Sequence, residues 1–297
     1  MNYIILDLEW DNSYYPPEKR FINQIIQIGA VKLDENFKIV DTFEATIKSS
    51  FSKRVSGRFS KLTGITNNIM RAGMPFEKAV AAYNDWIGTD TVTMTWSNSD
   101  LFSIMENERY LLKGLKFKIE KYLDLQSFIQ NEMRLLGFEV TSQISLANAA
   151  ESLSVTIDEF SLHTAKDDSL ICAALLKKCY NNERFEKLIK DTANPEFYKR
   201  LFFKPYYISD MNNKSVDKSA FKFNCDKCGG KAVVKTKWKF RNRWFMADFV
   251  CKDCKREFSG RVSFRKTYDD LIVKRKICEV KKKEEKGDEV QSVSASM

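Results

Sequence analysis

The chain has no apolar run approaching the length of a membrane span. It also has no basic n-region and no signal-type cleavage site before its first apolar stretch. These two absences exclude a membrane-spanning reading and give the expectation of a cytoplasmic protein. No internal repeat is visible, so a solenoid is excluded. Histidine is almost missing. His163 is the single copy in 297 residues, so chemistry that needs an imidazole has one candidate.

What remains is ample. The composition is 43% hydrophobic and 13% aromatic, enough for a sizeable core. The length suits one large domain and a small one. Seven cysteines in an expected cytoplasmic chain point to thiols and metal sites rather than disulfides. The net charge of +9 is unevenly placed. Residues 1–180 hold 20 Lys+Arg against 23 Asp+Glu, a net of −3, and residues 181–297 hold 29 against 17, a net of +12. A near-neutral front joined to a basic back suggests a folded module attached to something that seeks polyanions.

The first strand organises the front. Tyr3 to Leu8 is an apolar, β-branched run that reads as a strand buried on both faces. Asp7 and Glu9 interrupt its end. Residues two apart in a strand share a face, so the two carboxylates project side by side from a hydrophobic core. A divalent cation is the simplest compensation, because hard oxygen ligands suit Mg²⁺ or Mn²⁺. An exposed strand end with two solvated acids is the bland alternative.

Along the chain, Asp11 to Pro17 reads as a loop by its turn residues. Ile25–Leu33 and Phe37–Ile47 follow as antiparallel strands. Leu62 to Thr66 reads as a loop or turn before a helix carrying Phe76, Val80, Tyr83 and Ile87 at helical spacing. Thr91–Trp96 is a fourth strand and Tyr122–Leu125 a fifth. Helices are expected near 99–112, 126–136, 144–153 and 165–180. This order predicts an α/β fold, a mixed sheet flanked by helices. The expected domains are 1–182, a partly helical connector 183–220, a small domain 221–268, and a charged, disordered tail 269–297.

Three further residues stand where α/β proteins place sites. Asp100 follows the fourth strand at its C-terminal end, although taken alone a helix N-cap, with Ser97, Asn98 or Ser99 competing for that job, is the better reading. His163 and Asp168 lie about 140° apart if both are in one helix. They converge only if His163 stands in the preceding loop. Asp167 and Asp168 could also be plain dipole complements at a helix N-terminus.

Taken together, Asp7-Leu8-Glu9, Leu62-Thr63-Gly64-Ile65, Trp96-Ser97-Asn98-Ser99-Asp100 and His163-Thr164-Ala165-Lys166-Asp167-Asp168 resemble the DEDDh 3′–5′ exonucleases. These are DnaQ-like nucleases of the RNase H-like fold, and the pieces look most like the Eri-like branch. The resemblance covers residues 1 to about 180. It implies Asp7, Glu9, Asp100 and Asp168 as the four metal-binding acids and His163 as general base. The His-x4-Asp spacing selects Asp168 over Asp167. It implies two Mg²⁺ or Mn²⁺, about 3.5–4 Å apart in two-metal sites. It also implies Trp10, Leu62 and Thr63 as substrate contacts; many members carry Thr or Phe where Trp10 stands.

The back half carries a second constellation. Cys225-x-x-Cys228 and Cys251-x-x-Cys254 are separated by 22 residues. Four thiolates at this spacing suit one structural Zn²⁺, Val233 to Lys239 and Trp244 to Val250 read as hairpin strands between the knuckles, and the stretch is similar to a zinc ribbon. Cys172 and Cys179 read as core, and Cys278 takes no role. Residues 221–268 hold 14 Lys+Arg against 4 Asp+Glu. Lys237, Arg241 and Arg243 interleave with Trp238 and Trp244, as a basic and an aromatic face for single-stranded nucleic acid would. A small domain also needs aromatics for its own core, so a ribbon docking on a protein partner stays open.

The function expected is a 3′–5′ exonuclease acting on single-stranded ends, RNA favoured over DNA, releasing nucleoside 5′-monophosphates. A DNA exonuclease of proofreading or repair and a non-catalytic nucleic-acid adaptor are the alternatives.

Overall fold

The computed structural model of the chain describes residues 1–112, 114–155 and 164–280. The chain divides into two compact units, Met1–Leu201 and Phe202–Met297.

Unit 1 opens with β1 (Asn2–Tyr15), β2 (Arg20–Leu33) and β3 (Ile39–Thr46). Three helices follow, α1 (Gly57–Thr63), α2 (Asn67–Ala72) and α3 (Phe76–Ile87). Then come β4 (Thr91–Thr95), α4 (Ser99–Leu111), β5 (Lys121–Asp124) and α5 (Leu125–Leu135). The unit ends with α6 (Leu146–Ser152), α7 (Ala165–Cys179), α8 (Asn182–Glu186), β6 (Lys190–Asp191) and α9 (Pro195–Phe202).

The sheet order is β3-β2-β1-β4-β5-β6. The first three strands are antiparallel, and β1, β4 and β5 run parallel. This is the mixed, helix-flanked RNase H-like arrangement expected. The period of two along β1 sorts its side chains. Tyr3 and Ile5 enter a core with residues of α5, α6 and α7. Ile4, Leu6 and Leu8 enter the opposite core with residues of α3 and α4. β1 is thus covered on both faces, which is why its sequence is almost continuously apolar.

Unit 2 contains β7 (Tyr206–Tyr207), β8 (Ala232–Val234), β9 (Lys239–Arg241), β10 (Trp244–Cys251), β11 (Glu257–Lys266) and β12 (Leu271–Cys278). Its main path is β12-β11-β10-β8, with β7 on β11 and β9 on β10. Asn242 and Arg243 join β9 to β10 with both residues at positive φ, 50° and 68°, the geometry of a tight two-residue hairpin turn.

Four expectations differ from what is observed. Asp11 to Tyr15 is not a loop. β1 and β2 stay paired to Tyr15↔Arg20, and only Pro16–Glu18 and Lys19 (φ 50°) make the turn. Aromatic pairing supports the extension, with Tyr14 and Phe21 5.4 Å apart and Tyr15 4.6 Å from Tyr110. Leu62 and Thr63 end a helix, α1, which closes on Gly64 at φ 74°. The expected strand from Val233 to Lys239 is broken into β8 and β9. Finally, residues 271–278, expected in a disordered tail, are β12, which pairs with β11 from Lys266↔Leu271 to Ser259↔Cys278. Its Lys274, Arg275 and Lys276 are the charges an exposed edge strand carries against unwanted pairing.

The expected connector is divided. Phe197 and Leu201 pack on the core of unit 1, whereas Ile208, Val216 and Ala220 are buried in the core of unit 2.

Candidate active site

Asp7 and Glu9 lie on the face of β1 that turns toward α7. Across the ladder, Asp7 opposes Gly29 and Glu9 opposes Gln27. Gly29 is the point of closest approach. A Cβ there would stand 2.2 Å from the Ala165 carbonyl carbon and the Lys166 nitrogen, so only glycine lets the start of α7 rest on β2. Three polar contacts fix the same docking. The Ala165 N–H donates to Gln27 Oε1 at 3.1 Å, Lys166 pairs with Glu44 at 2.8 Å, and Ser169 Oγ donates to the Gly29 carbonyl at 3.3 Å. Thr164 caps the helix by accepting the Asp167 N–H. With its first turn held there, α7 presents Asp168 to Asp7 and Glu9. One ligand oxygen from each of these three residues lies within 4.8 Å of the others, and all three are half-buried.

Asp100 stands in the first turn of α4 and is buried. It is not part of the close triplet, yet after burial its charge is the largest influence on Asp7. Its Oδ1 is buried and has no hydrogen-bond partner among the described residues.

The electrostatics follow from this crowding. Burial, then the charges of Asp100, Asp168 and Glu9, push the Asp7 carboxyl well above the usual carboxylate range. Burial and the neighbouring Asp168 push Glu9 up to about 8. Burial pushes Asp100 up to about 8 despite favourable backbone N–H donation, including that from Leu8. Among the described residues no lysine or arginine is a cause of any of these three shifts. Hard oxygen donors, mutual repulsion and an orphaned buried oxygen are what a divalent-cation site looks like without the cation's charge.

His163 lies outside the described residues. Trp10 is half-buried and packs on the core beside β1. Leu62 is exposed, whereas Thr63 is buried and its hydroxyl is committed, donating to the Phe59 carbonyl and accepting the Ile65 N–H. Residue-by-residue reading missed Gly29 and Gln27. Neither has a local signal, because their work is to receive a helix 138 residues away.

In unit 2 the four cysteines converge, with every Sγ within 4.8 Å of the others. Cys225 and Cys254 sulfurs are 3.6 Å apart, and Cys228 and Cys251 sulfurs 3.4 Å. A tetrahedron of 2.3 Å metal–sulfur bonds has edges of about 3.8 Å, so the spacing fits one central ion. The two knuckles share one backbone plan. The Gly229 N–H returns to the Cys225 carbonyl and the Lys255 N–H to the Cys251 carbonyl. Gly229 and Lys255 both take positive φ, 75° and 61°. Backbone N–H groups of Cys228 and Lys227 draw the Cys225 thiol down to about 7, and those of Cys254 and Asp253 lower Cys251. At Cys228 the Gly230 N–H favours the thiolate, but the crowding thiols of Cys251, Cys254 and Cys225 outweigh it and push the group up to about 12.

The aromatics of this unit are mostly core. Phe245 and Phe249 are buried, and Trp238 packs edge-on to Phe221 at 4.8 Å. Trp244 is half-buried under Lys276, whose Nζ is 4.9 Å from the ring. Lys237, Arg241 and Arg243 are exposed.

The comparisons with known proteins agree with this geometry. No curated protein matches the chain. Among solved structures, the fold is similar to cell-death related nuclease 4, at 21% identity and TM-score 0.51 over 60% of this chain and 62% of that one. It is also similar to the nuclease domain of 3′hExo, a DEDDh family member bound to rAMP, at 22% identity and TM-score 0.50 over 60% and 90%. A full-length 3′-exonuclease matches at 19% identity and TM-score 0.52 over 62% of each chain. The likeness therefore spans less than two thirds of the first and third of these proteins. Family matching adds what the structural likenesses alone do not. The RNase_T exonuclease model matches residues 20–176, more than half of the chain, from the start of β2 almost to the end of α7. β1, with Asp7 and Glu9, lies just before the matched stretch, and its pairing with β2 places those acids against it. By its matched domain, its RNase H-like sheet and its clustered acids, the chain belongs to the RNase_T exonuclease family.

Proposed function

We propose that the protein is a metal-dependent 3′–5′ exonuclease that shortens single-stranded nucleic acid, RNA in preference to DNA, and releases nucleoside 5′-monophosphates. The observation that carries this reading is the convergence of Asp7, Glu9 and Asp168 within 4.8 Å, with the unpartnered Asp100 oxygen beside them. Asp7, Glu9, Asp100 and Asp168 would hold two Mg²⁺ or Mn²⁺, which supply a nucleophilic water at neutral pH and neutralise charge building on the phosphate. His163 takes the proton of the attacking water, its ordinary pKa near 6.5 suiting that task. Trp10 and Leu62 contact the terminal nucleotide, and Thr63 shapes the turn that presents Leu62. The preference for RNA is supported by the Eri-like motif pattern and by the ribonucleotide bound in the 3′hExo nuclease domain.

The four cysteines hold one structural Zn²⁺, supported by their spacing and by the lowered Cys225 and Cys251 thiols. Lys237, Trp238, Arg241, Arg243 and Trp244 belong to a ribbon that helps to hold substrate. Seven cysteines with no disulfide among them fit a reducing, cytoplasmic setting. Among the described residues no helix is long and apolar enough to cross a membrane.

The test is digestion of matched RNA and DNA oligonucleotides, labelled at either end, with Mg²⁺ or Mn²⁺. Expected is shortening from the 3′ end, faster on RNA, with a drop of roughly 10²–10⁴-fold in His163→Ala. Shortening from the 5′ end, or hydrolysis that needs no divalent ion, would overturn the reading. Faster DNA digestion would overturn the sugar preference alone.

A further inference from the structure

Unit 1 is net negative up to residue 180, but its charge is not evenly spread. From Ala45 to Phe76 the chain carries Lys48, Lys53, Arg54, Arg58, Lys61 and Arg71 and not one Asp or Glu. Part of this segment closes round a cavity of about 370 Å³ lined by Lys48, Ser49, Ser52, Lys53, Met70 and Arg71. Among the described residues, none of these three cations has a carboxylate within 4.0 Å. Glu44, the acid just before the segment, is engaged by Lys166.

The cavity wall is built rather than incidental. The Ser49 N–H points to Met70 Sδ at 3.3 Å, the Ser52 N–H donates to Ser49 Oγ at 3.0 Å, and Ser49 Oγ donates to Gln24 Oε1 at 2.7 Å. Gln24 is fully buried, and its Nε2 is a buried donor with no partner among the described residues. Three unopposed cations and no aromatic wall suit a phosphate and not a base, while the Ser49 and Ser52 hydroxyls, donating to Gln24 Oε1 and to the Arg54 carbonyl, hold the wall in shape. The cations recognise phosphodiester charge without reading sequence.

The cavity is tied to the strand that carries Asp7 and Glu9. Gln24 opposes Asp11 across the β1–β2 ladder. Asp11 is two residues beyond Glu9, about 7 Å along a strand. Asp11 accepts the Ser56 N–H at 2.5 Å and the Ser56 hydroxyl at 2.8 Å, so the same strand that carries the acids anchors the cationic segment at the start of α1.

We propose that Lys48, Lys53 and Arg71, on a wall held by Ser49 and Ser52, form a binding site on the nuclease unit for backbone phosphates of the substrate strand, a few nucleotides from the end being cut. This rests on the reading of Asp7, Glu9 and Asp168 as the hydrolytic site. The site gives the nuclease unit its own hold on polyanion, where its net charge suggests none.

The test uses the full chain and a fluorescent single-stranded oligonucleotide with hydrolysis-resistant phosphorothioate linkages, so binding is read without turnover. Anisotropy is measured over a salt series for the wild type and for Lys48→Ala/Lys53→Ala/Arg71→Ala. A control is Lys78→Ala/Lys116→Ala/Lys177→Ala, which removes equal charge from exposed positions outside the segment. Circular dichroism verifies that both variants fold. At about 0.7 of log-log slope per phosphate contact, the cavity variant should flatten the salt dependence by about 2 and lose roughly tenfold or more in affinity at low salt. The control should keep the wild-type slope. Equal slopes for cavity variant and wild type would overturn the proposal. Inorganic phosphate that binds the wild type and not the cavity variant, yet leaves the oligonucleotide bound, would also overturn it, reassigning the cavity to an isolated anion. Binding that behaves as expected in a chain with no hydrolytic activity would leave the cavity standing and remove the hydrolytic reading.

Discussion

The two clusters of the molecule are held together in opposite ways. The acids of unit 1 come from β1, α4 and α7, far apart in the chain, and meet because a packed scaffold makes them meet. The carboxyls of Asp7, Glu9 and Asp100 are driven upward, so the fold holds charges that repel. The cysteines of unit 2 come from two short knuckles with one backbone plan, and local N–H groups already favour the thiolate at Cys225 and Cys251. One cluster is imposed on its residues by distant packing. The other is prepared by its own turns. Removing a ligand should therefore cost unit 1 its chemistry while easing its fold, and should cost unit 2 its fold.

The largest effect expected is on turnover. Asp7→Ala or Asp168→Ala should lower hydrolysis of a short oligonucleotide by about 10³-fold or more, since on the proposed reading each removes a metal ligand on which transition-state charge stabilisation depends. Cys251→Ser should leave that same turnover within a few-fold. A fully active Asp7→Ala protein would break the comparison at its first term.

Next comes unit 2. Cys251→Ser should loosen that unit, with lost hydrogen-exchange protection in β10 and β11, because binding energy at a structural ion is folding energy. Elemental analysis of wild-type protein purified without chelator should find one zinc per chain, and none in this variant. Native protection in a zinc-free variant would show that the buried aromatics alone hold the unit.

The contrast bears on what could be read in advance. Asp7 and Glu9 were legible because a strand's period of two puts them on one face, and an acid pair inside an apolar run is costly enough to notice. The knuckles were legible because their spacing is local. Asp100 and Asp168 were legible only through their order along the chain, since neither has a local signal beyond a helix start. Gly29 was invisible, because a glycine in an apolar strand does not announce that a helix 136 residues later will rest on it. The β1–β2 arm was misread because Asn12, Ser13, Pro16 and Pro17 are turn residues by type, and long-range pairing overrode their propensity. Phe245 and Phe249 alternate as a binding face would, but a small unit needed them inside.

A smaller effect concerns pH. Asp100 and Glu9 have folded pKa values near 8, above the usual carboxylate range. Between the ordinary value near 4 and about 8, the folded protein holds protons that the unfolded chain has lost. The sign is fixed by that difference: this contribution is fully present below about pH 4 and is lost as pH rises through about 8. Without added divalent ion, unit 1 should therefore lose melting temperature from pH 6 to pH 8.5. Mn²⁺ should restore more of it at the higher pH. Asp100→Asn should be inactive yet more stable than wild type at pH 8 without the ion, by on the order of 1–3 kcal/mol. A variant less stable than wild type at that pH would show that Asp100 is held by contacts and not merely tolerated.

The smallest effect separates how the two units attract substrate. The ribbon stretch has 14 cations against 4 anions. If it neutralises about four phosphates, it contributes about −3 to the slope of log affinity against log salt for a single strand. Removing residues 202–297 leaves unit 1, which keeps its own buried cores. The truncated protein should have a raised Michaelis constant on long single strands and nearly unchanged turnover on very short ones. Its salt slope should flatten but not vanish, because Lys48, Lys53 and Arg71 remain and account for about −2. A ribbon that docks on a protein predicts something else with pure substrate, namely parallel slopes and equal Michaelis constants. A slope of zero after truncation would assign all the attraction to unit 2 and leave the cationic cavity with no part in it. The residual slope is therefore the quantity that divides the work between the two units, and one salt titration of the two proteins on one long strand measures it.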